Sequence, residues 1–282
     1  VSIAVPGLEH TPAIRTENAC ATGSAALYTA MDTIAAGRAR IALVIGADQQ
    51  YGDKSAELAM IAAKNHANGA SNPFAHIKKD LGFDFCNTPS DKNPLVAGPL
   101  RRTDCSLISD GAAALVVTDR ETAMSLSRAI AFRAREHKND IFPLSRRDVT
   151  EFAGARAAWD AAKKNANITL DDLDFVETHD CFTIAEMIEY EAMGLTSRGE
   201  GWKAIKEGET LKDGRLPVNP SGGLKSKGHP IGATGVSMHV LAAMQLSEEA
   251  GDMQINNANL AGVFNMGGAA VANYCSILER IK

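Results

Sequence analysis

The sequence predicts an α/β layered fold. Three observations carry that prediction: short apolar runs that read as buried strands, segments of helical periodicity between them, and glycines at the junctions. Across 24–37, Leu27, Ala30, Met31 and Ile34 recur at helical spacing, and Gly37 stops the helix. Residues 41–45 follow as an apolar strand ending at Gly46. From Tyr51 to about Thr103 no period is sustained, and Asn72-Pro73, Asn93-Pro94 and Gly98-Pro99 mark turns, so a long insertion or lid is expected there. It carries Lys78, Lys79, Arg101 and Arg102, which either meet an anionic ligand or form solvated surface.

Strands are predicted at 112–117 and 129–133, a helix over 151–164 and a strand at 175–178. A helix over 184–193 then sets Ile184, Met187 and Ile188 on one face. A second irregular stretch, 199–231, is rich in Gly, Lys and Pro and leads into a helix whose Val236, Val240 and Met244 share a face and which closes at Gly251. Residues 261–265 and 269–278 read as two strands joined by a glycine turn.

Composition narrows the function. The 282 residues are 45% hydrophobic and 22% charged, which excludes a disordered chain. Twenty-nine basic against 34 acidic residues give a formal charge of −5, with no basic stripe and few aromatics. That argues against nucleic acid and for a small-molecule ligand. No apolar window approaches a membrane span, and the first residues lack the basic flank of a signal peptide, so a cytoplasmic protein is expected. The cysteines at 20, 86, 105, 181 and 275 form no Cys-x-x-Cys pair and are expected to be thiols, with no metal site. Asn167-Ile168-Thr169 matches a glycosylation sequon but reads as a solvent loop.

Four segments hold residues capable of chemistry. Cys20 opens the first helix within Glu17-Asn-Ala-Cys20-Ala-Thr-Gly-Ser24, where the helix dipole favours a thiolate nucleophile. Taken alone the motif favours inert packing, because free cysteine is among the most buried residue types. In Glu177-Thr-His179-Asp-Cys181-Phe-Thr183, between a strand and a helix, alternate residues share a side, so His179 and Cys181 form a possible acid–base pair. The glycine-rich loop from Asn219 to Gly235 presents His229 before a helix and fits neither a phosphate loop nor a dinucleotide fingerprint. Asn265-Met-Gly267-Gly268 either exposes a backbone N–H to an oxyanion or is an ordinary hairpin turn.

Together, Asn18-Ala-Cys20-Ala-Thr-Gly-Ser24, His179-Asp-Cys181-Phe, Gly222-Gly-Leu-Lys-Ser-Lys-Gly-His229-Pro-Ile-Gly-Ala-Thr-Gly235 and Asn265-Met-Gly-Gly268 resemble the thiolase family in identity and order. Within it the chain looks most like the sterol-carrier-type thiolases, which carry His-Asp-Cys-Phe and lack the late Cys-x-Gly motif. The resemblance implies a layered α-β-α-β-α fold of two similar βαβαβ halves. Residues 1–122 would be the remainder of the first, incomplete half, with a loop domain at about 51–103 covering coenzyme A. Residues 123–282 would be the second half. Against the family the sequence lacks the opening strands and helices of the first half, so either a fragment of a longer protein or a compromised relative is expected.

The implied activity is acyl-CoA C-acyl transfer, making or cleaving 3-ketoacyl-CoA. Cys20 would be the acylated nucleophile and His229 its base. Cys181 would move the α-carbon proton, and His179 would polarise the thioester oxygen. The backbone N–H groups of Cys20 and Gly267 would form an oxyanion hole. Coenzyme A thioesters are implied as substrates, with no further cofactor and no metal. A homodimer or homotetramer is implied, and some relatives bind a small zinc-ribbon/OB-fold protein. The alternative is a non-catalytic thiolase-like subunit serving as a scaffold.

Overall fold

The computed structural model describes residues 52–141 and 146–282. Cys20, the helix expected over 24–37 and the strand expected at 41–45 lie outside these residues. No helix among the described residues is long and apolar enough to cross a membrane.

The stretch expected to lack a period contains a helix, α1, Ser55–Ala70. Its inward face includes Lys64, Asn65 and His66 beside Leu58, Ile61 and Ala62, all buried. A search keyed to apolar spacing cannot register a face that buries polar groups. A short helix α2, Phe83–Asn87, follows, then a hairpin of β1, Leu95–Ala97, and β2, Leu100–Arg101. Arg101 is buried and donates to Asp104 Oδ2 at 2.9 Å, Asn87 Oδ1 at 2.9 Å and the Ser55 carbonyl at 2.5 Å. It fastens this region together, whereas Lys78, Lys79 and Arg102 stay exposed.

The strand expected at 112–117 does not form among the described residues. Val116 and Val117 are exposed. An apolar run becomes a strand only against a partner, and no described segment pairs with it. Helix α3, Arg120–Ser125, follows; Asp119 caps it by accepting from the Thr122 N–H at 2.7 Å.

Beyond residue 129 the expected alternation holds. The order is β3, Ile130–Asn139; α4, Ala153–Ala166; β4, Phe175–Glu177; and α5, Thr183–Met193. Short helices α6, Gly201–Lys206, and α7, Gly223–Lys227, interrupt the irregular stretch. Helix α8, Thr234–Leu246, then leads to β5, Leu260–Gly267, and β6, Ala272–Arg280. Asn167, the sequon residue, ends α4 in the left-handed conformation at φ 52°, which asparagine tolerates.

The strands form one four-stranded sheet in the order β3-β6-β5-β4, with β4 and β5 parallel and the other pairs antiparallel. Side chains leave a strand on alternate faces, and each face has its own cover. Val176 and Phe264 join Trp159, Ala158 and Ala162 of α4 on one side. Phe175, Ala261, Val263 and Leu278 join Met238, Ala242 and Leu246 of α8 on the other. Trp159 and Phe264 stack with centroids 6.2 Å apart. Burying a side chain such as Phe264 stabilises by about 1.5–3 kcal/mol. The inward face of α8 is therefore Met238, Leu241, Ala242 and Gln245; Val236, Val240 and Met244 are only half-buried, which corrects the expected face.

Candidate active site

The parallel pairing of β4 and β5 begins to build the site. Parallel strands end on the same edge of a sheet, where open α/β folds gather their ligands. The register sets Glu177 opposite Val263, so the chain two residues beyond each brings His179 beside Asn265. His179 Nδ1 lies 2.7 Å from Asn265 Oδ1. Gly267 ends β5 two residues later and is exposed.

The glycine-rich loop supplies the second imidazole. Val218 bridges to Val176 of β4, which brings the loop alongside the sheet edge. After α7 the chain turns at His229, whose N–H donates to the Leu107 carbonyl at 3.0 Å and lies 2.8 Å from Ser109 Oγ. The Ser106 N–H donates to the Cys181 carbonyl at 2.9 Å, so one strap, 106–109, braces both loops. His229 Nδ1 lies 2.8 Å from Thr234 Oγ1, and that hydroxyl donates to the Pro230 carbonyl at 3.0 Å. The hydroxyl has a single proton, so His229 Nδ1 must be the donor, which leaves Nε2 with its lone pair.

The rings of His179 and His229, far apart in sequence, meet edge to face with centroids 5.1 Å apart and planes at 83°. Both side chains are buried, as is Cys181, which packs with the larger apolar cluster. Burial, followed by the neighbouring His229 and Lys227 charges, holds His179 down to about 3. His229 is lowered by burial and then by Lys227. Both shifts favour the neutral ring, the form that accepts a proton. An open groove of about 440 Å³, lined by Ser109, Asp110, Pro230 and Ile231 among others, borders the His229 turn.

Between His179 and Cys181 the chain turns Asp180 the other way. Its carboxylate accepts from the Leu224 N–H at 2.5 Å and the Lys225 N–H at 3.3 Å, at the start of α7, and from Asn65 Nδ2 at 2.9 Å. Gly223 makes this approach possible. Its φ is +58°, and a Cβ there would stand 2.3 Å from Asp180 Oδ2. Asp180 thus binds the histidine-bearing turn after β4 to the glycine-rich loop.

Around Asp180 lies a buried polar cluster. Glu186 Oε1 pairs with Lys64 Nζ at 2.5 Å and accepts from the Tyr190 hydroxyl at 2.5 Å, while Oε2 takes Asn65 Nδ2 at 2.6 Å and Asn219 Nδ2 at 3.0 Å. Glu177 receives the Ser221 hydroxyl at 2.7 Å. Burial raises Glu177, Asp180 and Glu189, and the Glu186 charge raises Asp180 further. Lys227 is lowered by burial against the opposing pull of Glu177 and Asp180.

Of the residues singled out in the sequence, the structure brings His179 and His229 together, with Cys181 two residues from the first. Cys20 lies outside the described residues. Among the described residues, Cys86, Cys105, Cys181 and Cys275 form no disulfide. Burial pushes Cys86 up to about 11 and Cys275 well above the usual thiol range, which disfavours the thiolate at both. The sequence alone assigns no role to Thr234, Asn265, Asp180 or the strap at 106–109. The first three stand inside the quoted motifs, and only their partners reveal what they do.

Residues 136–280 match the family model described as thiolase C-terminal domain-like. An acetyl-CoA acetyltransferase of Methanothermobacter thermautotrophicus is 32% identical over 316 residues, covering 97% of this chain and 82% of that protein. Sterol carrier protein 2 of Homo sapiens is 29% identical over 322 residues, covering 94% of this chain and 58% of that protein. Among solved structures, the Ltp2-ChsH2(DUF35) aldolase superposes with a TM-score of 0.71 at 18% identity, covering 82% of this chain and 59% of that one. The chain therefore spans less than two thirds of the length of the latter two. With a thiolase-like α/β fold and relatives of this kind along nearly its whole length, the chain belongs to the thiolase family, near its sterol-carrier-type members.

Proposed function

We propose that the chain is an acyl-CoA C-acyltransferase that makes or cleaves 3-ketoacyl-CoA by Claisen chemistry through an acyl-cysteine. The observation that carries this reading is the pair of buried imidazoles, His179 and His229, with ring centroids 5.1 Å apart, and a buried thiol, Cys181, two residues from the first. In the first half-reaction His229 Nε2 takes the proton of Cys20 Sγ. The thiolate attacks the thioester carbon, and coenzyme A leaves as a thiolate that recovers the proton. In the second, Cys181 removes an α-proton from acetyl-CoA, and the resulting enolate attacks the acyl-Cys20 carbon and releases its sulfur. Cleavage runs these steps in reverse. The backbone N–H groups of Cys20 and Gly267 meet the negative charge on oxygen. Lys78, Lys79 and Arg102 remain available to the phosphates of coenzyme A, whereas Arg101 is committed elsewhere. Residues 1–122 and 123–282 act as the two halves, in a cytoplasmic homodimer or homotetramer.

A second reading rests on the solved complex of Ltp2 with ChsH2(DUF35). The chain would then be a subunit that docks a small zinc-ribbon/OB-fold partner and serves as a scaffold. One experiment separates the two. Incubation of the full chain with acetyl-CoA should acetylate Cys20, as read by peptide mass spectrometry, and Cys20→Ala should abolish the adduct. Cys181→Ala should keep the adduct and lose deuterium exchange at the α-carbon. A folded chain with no adduct on Cys20 overturns acyl transfer and supports the scaffold.

A further inference from the structure

The turn that joins β5 to β6 takes a backbone conformation that its residues resist. After Gly267, residues Gly268, Ala269 and Ala270 have φ of 61°, 54° and 61°, so three consecutive residues are left-handed and two of them are alanines. An alanine Cβ crowds the following carbonyl oxygen there. Such a turn persists only where its surroundings hold it. The holding group is Arg147, which donates from Nη2 to the Ala269 carbonyl and from Nη1 to the Ala270 carbonyl, the latter at 3.1 Å. Nη1 also reaches Asp140 Oδ2 at 3.1 Å, and the two side chains are only 7% and 9% exposed. Asp140 is fixed in turn. Its Oδ2 accepts from the Gly154 N–H at 3.2 Å, at the start of α4, and its own N–H donates to the Val271 carbonyl at 2.7 Å. A guanidinium only donates and a carbonyl only accepts, so the direction of each bond from Arg147 to the turn is settled.

We infer that Arg147 is a positioning residue that clamps the 267–271 turn and thereby fixes the backbone of Gly267. Val271 closes the turn by donating its N–H to the Gly267 carbonyl at 3.1 Å, so both clamped carbonyls lie within one hydrogen-bonded loop that begins at the glycine. Two residues before it, the Asn265 side chain meets the His179 ring. The clamp stands on these hydrogen bonds, while its catalytic consequence rests on the acyl-transfer reading above, in which the Gly267 N–H meets the oxyanion. An N–H stabilises that charge best when it is aimed before the charge forms. Without Arg147 the two alanines relax toward ordinary φ and carry Gly267 with them.

The test compares the full chain with Arg147→Met, which fills the space without donors, and Arg147→Lys, which has one nitrogen for two carbonyls and a carboxylate. Hydrogen exchange at the Val271 N–H should speed up at least about tenfold in Arg147→Met and less in Arg147→Lys, while Val263 within β5 keeps its wild-type rate. Release of coenzyme A on acylation of Cys20 should slow about ten- to a hundredfold in Arg147→Met, a part of what one oxyanion donor contributes. KM for acetyl-CoA should stay within about twofold, because the clamp acts on the transition state. Arg147→Lys should fall between, and it carries the comparison if Arg147→Met does not fold. Wild-type exchange at Val271 in the folded variants would overturn the clamp. Faster exchange with an unchanged acylation rate would overturn the positioning of Gly267. A wild-type chain that leaves no acyl group on Cys20 sinks the acyl-transfer reading instead, and exchange then decides the clamp by itself.

Discussion

Thr234 Oγ1 accepts from His229 Nδ1 at 2.8 Å and spends its one proton on the Pro230 carbonyl, 3.0 Å away. The hydroxyl therefore selects the tautomer of His229 whose Nε2 is free to act as a base. Thr234→Val keeps the shape and removes both hydrogen bonds. The rate of Cys20 acylation should fall about ten- to a hundredfold, a part of what a positioned base contributes. Thr234→Ser should restore most of it. Stopped-flow release of coenzyme A measures the rate, and a Thr234→Val rate within twofold of wild type would refute the assignment.

The second half of the chain was legible because its strands and helices bury apolar faces at their natural periods. Phe175 and Val176 face opposite covers, as alternation requires. Helix α1 was not legible, because its buried face holds Lys64, Asn65 and His66, and the first two are held by partners more than 100 residues away in sequence. The run at 112–117 misled in the opposite sense. Its composition suits a strand, but a strand also needs a neighbour, which composition does not supply. In the site, the residue types of His179, Cys181 and His229 gave them away. Thr234 and Asn265 act only through what they touch, so their roles required coordinates.

The buried pair of Lys64 and Glu186 gives a second prediction. Removing one charge strands the other where water cannot reach it. Lys64→Met leaves a lone carboxylate and should destabilise by about 3–5 kcal/mol. The double variant Lys64→Met/Glu186→Gln removes both charges and should recover more than half of that loss. A cycle of urea unfolding curves measures the coupling, expected to exceed about 1.5 kcal/mol because the double variant recovers more than half of the single-variant loss. Additive single-variant effects would show that the pair does not act as a unit.

Gly223 and Gly232 sit in the same loop and should respond differently to an added methyl. At Gly223 the backbone is left-handed, and a Cβ would strike Asp180, which three donors hold in place. Gly223→Ala should cost about 1–3 kcal/mol and slow Cys20 acylation, because Asp180 neighbours His179. At Gly232 a Cβ meets nothing within 4 Å, and Gly232→Ala should change stability by less than about 0.5 kcal/mol. Equal effects from the two substitutions would contradict the role given to Asp180.

His66 offers a pH-dependent test independent of catalysis. It is buried on α1 with Nδ1 unpartnered, and burial, then the Lys225 charge, lowers it to about 4. The native ring stays neutral where the unfolded ring, with its ordinary value near 6.5, gains a proton. The unfolded state then binds more protons, so this stability is fully present above pH 6.5 and is lost as pH falls toward 4. Glu177, Asp180 and Glu189 act with the opposite sign, since their raised values favour the native state as pH falls, so the net wild-type curve mixes both. His66→Gln isolates the histidine. Relative to the variant, wild type should lose about 1.4 kcal/mol per pH unit across most of that window, as read from urea unfolding at pH 7, 6, 5 and 4.5. Parallel curves for the two proteins would mean that the native ring takes up its proton at an ordinary pH.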